Sequence, residues 1–334
     1  MPSRGGYPAG AWPAQPPPPG NGAPVKPAAL PVVSREYHEF FRAPRFRWWR
    51  PLLAIAMFVA AWFVATLLIS LPPILLDTAS GRLDPMAAAQ GDLKLTPLLF
   101  LANNLSLAAA IPLAGLTAWA VFGQRPRWMS SIAGGFRWGL FWRFVAVAVP
   151  ILAVSLGVEV LLSGPPELTW NADSWFLIIA IVLTTPLQAA GEEYGIRGLL
   201  ARSVGSWFGA ARVGLVVATV ITSVVFMLLH GAGDPWLNGY YFGVGVACSI
   251  LVWKTGGLEA AVALHVVNNL IGEFTLPFGG LEDMFNREAG VAGPEILIQM
   301  FFTLLLVAAL LLVARRLRIR QSAAPAAVRP GPGQ

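Results

Sequence analysis

Apolar residues fall along this chain in long runs, and polar residues are concentrated in the short stretches between them. Eight runs read as membrane-crossing helices: 52–76, 98–122, 140–162, 175–200, 213–230, 237–253, 258–271 and 296–314. A hydrocarbon layer about 30 Å thick takes about 20 helical residues to cross, so the seventh run is short and its membership rests on its neighbours. The expected fold class is all-α, a polytopic membrane protein of about eight transmembrane helices. Its polar centre is built by the fourth to seventh spans.

The connections sort by charge. One set carries Arg125, Arg127 and Arg137, then Arg202 and Arg212, then Lys254, then the tail residues Arg315, Arg316, Arg318 and Arg320. The other set carries Asp77, Arg82, Asp84, Asp92 and Lys94, then Glu167 and Asp173, then Asp234, then Glu273, Glu282, Asp283, Arg287 and Glu288. Basic residues accumulate on the cytoplasmic side of membrane proteins, so both termini are expected there, in the plasma membrane of the cell. Residues 1–46 are rich in Pro, Gly and Ala, including the run from Pro16 to Pro19. They are expected to form a disordered cytoplasmic tail that ends in an interfacial anchor of Arg42, Arg45, Arg47, Trp48, Trp49 and Arg50. Residues 47–320 form the membrane domain, and residues 321–334 return to tail composition. The first apolar run is too long for the core of a cleavable signal peptide.

Composition agrees with the pattern. Of 334 residues, 56% are hydrophobic and 12% charged, with a mean hydropathy of +0.64, against about 25% charged in soluble domains. The net charge of +6 comes from residues flanking apolar runs, which reads as membrane anchoring and not as a nucleic-acid partner. Cys248 is the single cysteine, which excludes an intrachain disulfide and a cysteine metal site. The expected partners are the lipid bilayer and a peptide or protein substrate.

The fourth run carries Ala190-Gly191-Glu192-Glu193-Tyr194-Gly195-Ile196-Arg197-Gly198. Charged groups cost about 2.5–3.5 kcal/mol each at a helix centre on insertion scales, so each needs a partner or a task. Glu193 and Arg197 are four residues apart, with the acid N-terminal, the favourable order for a pair on one face. Glu192 points about 100° away and has no such ion-pair partner. Gln188, one turn earlier on its face, is a candidate support. Of the histidines His38, His230 and His265, the last two end or interrupt apolar runs, and Asn269 shares a helix face with His265. Asn103 and Asn104 are expected to bond across helices, Arg143 to reach the interface, Glu159 to be wet, and Cys248 to fill apolar space.

A carboxylate, two imidazoles and an amide suit attack by water on a carbonyl. Glu192 can serve as general base, with His265 and Asn269 donating to the developing oxyanion. Alternatively, Glu192, His230 and His265 can bind zinc and leave a position for water. Spacing leaves both open. Glu192 and His265 lie about 15 Å from the cytoplasmic ends of their runs, whereas His230 falls near the outer end of its own. The fifth span is therefore expected to start late or to tilt.

Glu-Glu-x-x-x-Arg at Glu192–Arg197, Phe-x-x-x-His at Phe226–His230 and His-x-x-x-Asn at His265–Asn269 resemble the three motifs of the CAAX prenyl endopeptidase and bacteriocin-processing (CPBP) family. These intramembrane proteases are also called the abortive-infection family. The resemblance covers 174–273. It implies a helical membrane endopeptidase in which Glu192 activates water together with His230, His265 and Asn269 stabilise the oxyanion, and Glu193 and Arg197 are secondary. Family members have been described both as metalloproteases and as glutamate-dependent proteases, so zinc stays open. Eukaryotic members remove the last three residues of prenylated proteins; the resemblance carries reaction type better than specificity. Two other classes compete: a non-catalytic scaffold or immunity protein on this fold, and a secondary transporter or proton relay. The second is disfavoured because the sequence carries no internal repeat.

Overall fold

The computed structural model describes residues 28–90, 94–279, 281 and 287–326. Among them, seven helices are long and apolar enough to cross a membrane. In chain order the bundle runs α1 (Arg50–Ala79), α2 (Pro97–Phe122), α3 (Trp138–Ser163), α4 (Ser174–Gly205), α5 (Ala211–Leu229) and α6 (Pro235–Thr255). It continues with α7 (Glu259–Gly272) and ends with α8 (Ile296–Arg316). The protein is an all-α polytopic membrane protein.

Local sequence fixes the ends of these helices. Thr96 accepts a hydrogen bond from the Leu99 amide at the start of α2, ahead of Pro97 at the first helical position. Asp234 caps α6 through the Trp236 and Leu237 amides, ahead of Pro235. Both pairings combine a side-chain acceptor with a residue that has no amide to satisfy. At the opposite ends, Gly123 and Gly256 adopt the left-handed conformation that closes α2 and α6, where a side chain is strained. Pro72, Pro73, Pro150 and Pro186 lie inside helices, which membrane helices tolerate when neighbours satisfy the freed carbonyls.

The short seventh run is α7, with 14 residues. At 1.5 Å per residue it measures about 21 Å, less than the hydrocarbon thickness. Length alone leaves α7 out of the seven helices that could cross a membrane, and its shortness has a physical reason. Bilayer thickness sets the length of helices that face lipid, and α7 does not: every residue from Glu259 to Val267 is buried, against α3, α4 and α6.

Arg35–Glu36 (β1) pairs antiparallel with Ser322–Ala323 (β2), so the chain enters α1 and leaves α8 on the same side. That pairing needs an even number of passes, and α7 supplies the eighth. The pairing also corrects the expected tails. Residues 28–46 lie on the bundle: Tyr37, Phe40 and Phe41 are almost wholly buried, and Phe41 stacks on Phe122 at 4.0 Å. Arg202, expected as a loop charge, is fully buried with its guanidinium 3.7 Å from the Tyr37 ring centroid and 5.2 Å from that of Phe40. The Pro/Gly/Ala composition of the tail hides three large aromatics that bury enough area to dock it. The proline run, Asp92, Glu282 and Asp283 lie outside the described residues.

Helices α2 and α4 meet at Gly191. A Cβ there would strike the Leu107 carbonyl oxygen, with the carbonyl carbon at 2.7 Å and the Ala108 Cα at 3.1 Å, whereas one at Gly139 would meet nothing within 4 Å. Backbone cannot move aside as a flexible side chain can. Gly191→Ala should therefore cost about 1–3 kcal/mol, seen as a lowered Tm in detergent, and Gly139→Ala should not lower it.

Candidate active site

The polar centre forms where α4 changes winding. Directly after the two glutamates, Tyr194–Leu200 is a π-helix, a widened form that often marks functional sites. The adjacent carboxylates then take different environments. Glu193 is fully buried. Its Oε1 is 2.8 Å from the Arg197 guanidinium and 3.0 Å from His265 Nδ1. Arg197, 1% exposed, also donates to the Gly245 carbonyl of α6 at 3.2 Å and lies 4.5 Å from the Phe226 ring centroid of α5. One carboxylate thus ties together α4, α5, α6 and α7.

Glu192 keeps its side chain 15% exposed, with Oε2 3.6 Å from His265 Nε2. The Gln188 amide donates to its Oε1. The Asn269 amide donates to Gln188 Oε1 at 3.1 Å, so the two polar ends of Gln188 are spoken for in opposite directions. Gln188 is the bridge that makes Glu192 and Asn269 one unit. The imidazole of His265 is likewise shared, with Nδ1 toward Glu193 and Nε2 toward Glu192.

His230 arrives differently. It ends α5, with Nδ1 2.7 Å from the Phe226 carbonyl. A carbonyl only accepts, so this contact puts the proton on Nδ1 and directs the Nε2 lone pair elsewhere. The ring stacks on Tyr241 at 3.9 Å, and Arg287 donates to the His230 carbonyl. Its link to the cluster runs through Phe226, whose ring centroid is 4.6 Å from His230 and 5.7 Å from His265. Helix α5 begins at Ala211, so a late start of the fifth span is not what brings His230 in. Phe226, one turn deeper, makes the join.

The zinc alternative has a geometric test. Ligand atoms sharing one tetrahedral zinc lie about 3.3–3.5 Å apart. Glu192 and His265 approach that spacing, but Glu192, His230 and His265 do not bring three ligand atoms within 4.8 Å of one another. As arranged, these residues do not fit a three-ligand zinc centre.

Several contributors lie outside the three motifs. Glu273, read as an outer-loop acid, is 9% exposed and accepts from Thr185 at 2.6 Å. It follows His265 and Asn269 at a further four-residue step, a periodicity that could have placed it on their face. Asn104 donates to Thr184 and Thr185 at 3.0 and 3.2 Å, the cross-helix role expected of it. Arg137 holds Glu259 at the start of α7 by a 2.6 Å ion pair, with Glu259 fully buried. Tyr241 gave no local signal.

Residues 172–271 match the family described as type II CAAX prenyl endopeptidase Rce1-like. The chain is also 28% identical over 127 residues to the uncharacterized protein YyaK of Bacillus subtilis (strain 168), a match covering 35% of this chain and 41% of that one. The chain therefore spans about two fifths of that relative's length. No solved structure matches it. The matched residues hold Glu192, His230, His265 and Asn269 together with the helices that position them, and residues 172–271 carry an Rce1-like domain of the type II CAAX prenyl endopeptidases, the protease family that the three motifs resemble.

Proposed function

We propose that this protein is an intramembrane endopeptidase in which Glu192, without a metal, activates the water that attacks a peptide carbonyl. The observation that carries the reading is the division of labour between adjacent carboxylates. Glu193 is enclosed by Arg197 and His265, while Glu192 is partly exposed beside an imidazole and an amide. In this mechanism Glu192 takes a proton from water as the oxygen adds to the scissile carbonyl, then returns it to the leaving amine as the C–N bond breaks. The developing oxyanion is met by the N–H of His265 Nε2, whose ring carries a proton on both nitrogens throughout the step, and by the Asn269 amide after it leaves Gln188. Glu193 holds His265 in register for that role. His230, clamped by Tyr241 and the Phe226 carbonyl, offers Nε2 to the same water. The substrate is a peptide segment of a membrane-associated protein, reached at the membrane surface. The shared side of the two termini is the cytoplasm, because the basic connections lie there.

Cleavage of a panel of membrane-anchored peptides in proteoliposomes tests the reading. Glu192→Gln should lower the rate by about 10²–10⁴-fold while Tm and bound metal stay at wild-type values. Retained cleavage would overturn the assignment, and metal lost together with cleavage would move the nucleophile to a metal-bound water. Arg197→Met should act through stability instead. It leaves Glu193 buried without its cation, which costs about 3–5 kcal/mol, and should lower Tm more than Glu192→Gln does.

A further inference from the structure

We propose a divalent-cation site outside the membrane, formed by Glu36, His38 and Glu39, that locks the docked N-terminal segment to the bundle. One ligand atom from each of these residues lies within 4.8 Å of the other two. The three sit at the side where β1 meets β2, far along the chain from the motifs of the active site.

Two buried atoms point to the ligand. His38 is 4% exposed, and its Nε2 is 2.9 Å from the Ala211 carbonyl at the start of α5. Because that carbonyl can only accept, Nε2 carries the proton, and the neutral ring presents an Nδ1 lone pair. Nδ1 is buried without a hydrogen-bond partner, and so is Glu36 Oε2. They face each other at 3.8 Å. Two acceptors opposed at that distance repel unless something positive lies between them. A proton on Nδ1 would do so weakly, since 3.8 Å is beyond hydrogen-bond reach. A cation about 2.0–2.2 Å from each closes the gap with little movement.

The third ligand is already oriented. Glu39 is 3% exposed, and its Oε1 is held by Arg35 at 2.9 Å, leaving the carboxylate's remaining lone pairs for a metal. The His38 contact to a backbone carbonyl is the kind of outer support that fixes a metal-ligating imidazole. One nitrogen and two carboxylate oxygens, with a fourth position for water, suit zinc. Glu36 is partly exposed, which provides a route for the ion. Bound there, the ion would join the turn Tyr37–Glu39 through His38 to the start of α5, the helix that ends at His230.

The test uses the full-length protein in detergent, freed of purification tags, stripped with chelator, re-loaded with zinc and desalted, with metal per chain then measured. Wild type should hold one zinc more than Glu36→Gln, and Glu192→Gln should hold as much as wild type. Zinc should raise the Tm of wild type and of Glu192→Gln but not that of Glu36→Gln. His38→Gln should lose the same ion; Glu36→Gln, at a partly exposed position, is the variant that keeps the comparison valid if His38→Gln misfolds. Equal zinc in wild type and Glu36→Gln, or no zinc in either, would overturn the site and leave a protonated His38 facing Glu36.

Discussion

The carboxylate of Glu193 is the constraint on which the rest of this architecture depends. A fully buried anion is expensive unless it is paired and hydrogen-bonded. Here the partners come from two places: Arg197 one turn along α4, and His265 on α7. Arg197 in turn reaches Gly245 on α6 and the Phe226 ring on α5. Four helices are therefore committed to a single relative placement by one charge. That placement leaves Glu192, the adjacent residue, partly exposed on the Nε2 side of His265.

The behaviour of α7 follows from the same requirement. Its task is to carry His265, Asn269 and Glu273 into the bundle along one face, not to meet lipid. It is accordingly short and buried, and it is anchored at its start by the fully buried Glu259 against Arg137. A buried ion pair at its N-terminus and a buried hydrogen bond at His265, six residues on, thus fix α7. Removing Arg137 would leave the Glu259 charge uncompensated in the interior. The hydrogen bonds from Asn104 through Thr185 to Glu273 extend the same polar seam to α2.

The outer surface obeys different rules. Helix α1 buries few residues, and its exposed leucines face the bilayer, which hides them as well as a protein core would. The aromatic segment Tyr37–Phe41 closes the end of the bundle where β1 meets β2 over Arg202, whose charge is met by ring faces. Cation–π contact of this kind gains strength when the cation is desolvated.

The sequence by itself determined the helical membrane class, the positions of the eight bundle helices and the residues of the polar cluster. Long apolar runs, basic connections and residues spaced by four are local signals, set by the bilayer and by helix geometry. The pairing of Glu193 with Arg197 and the support from Gln188 were legible for that reason. Tertiary structure alone decided the rest, because it depends on which helices become neighbours. The docking of residues 28–46 was hidden by composition. The burial of Glu273 and Arg202 could not be separated from loop placement, because both lie at run ends where a few residues change the environment. The join between His230 and His265 through Phe226, and the stacking of Tyr241, are contacts between helices far apart in sequence. No spacing rule encodes them; they exist because the buried Glu193 charge holds those helices together.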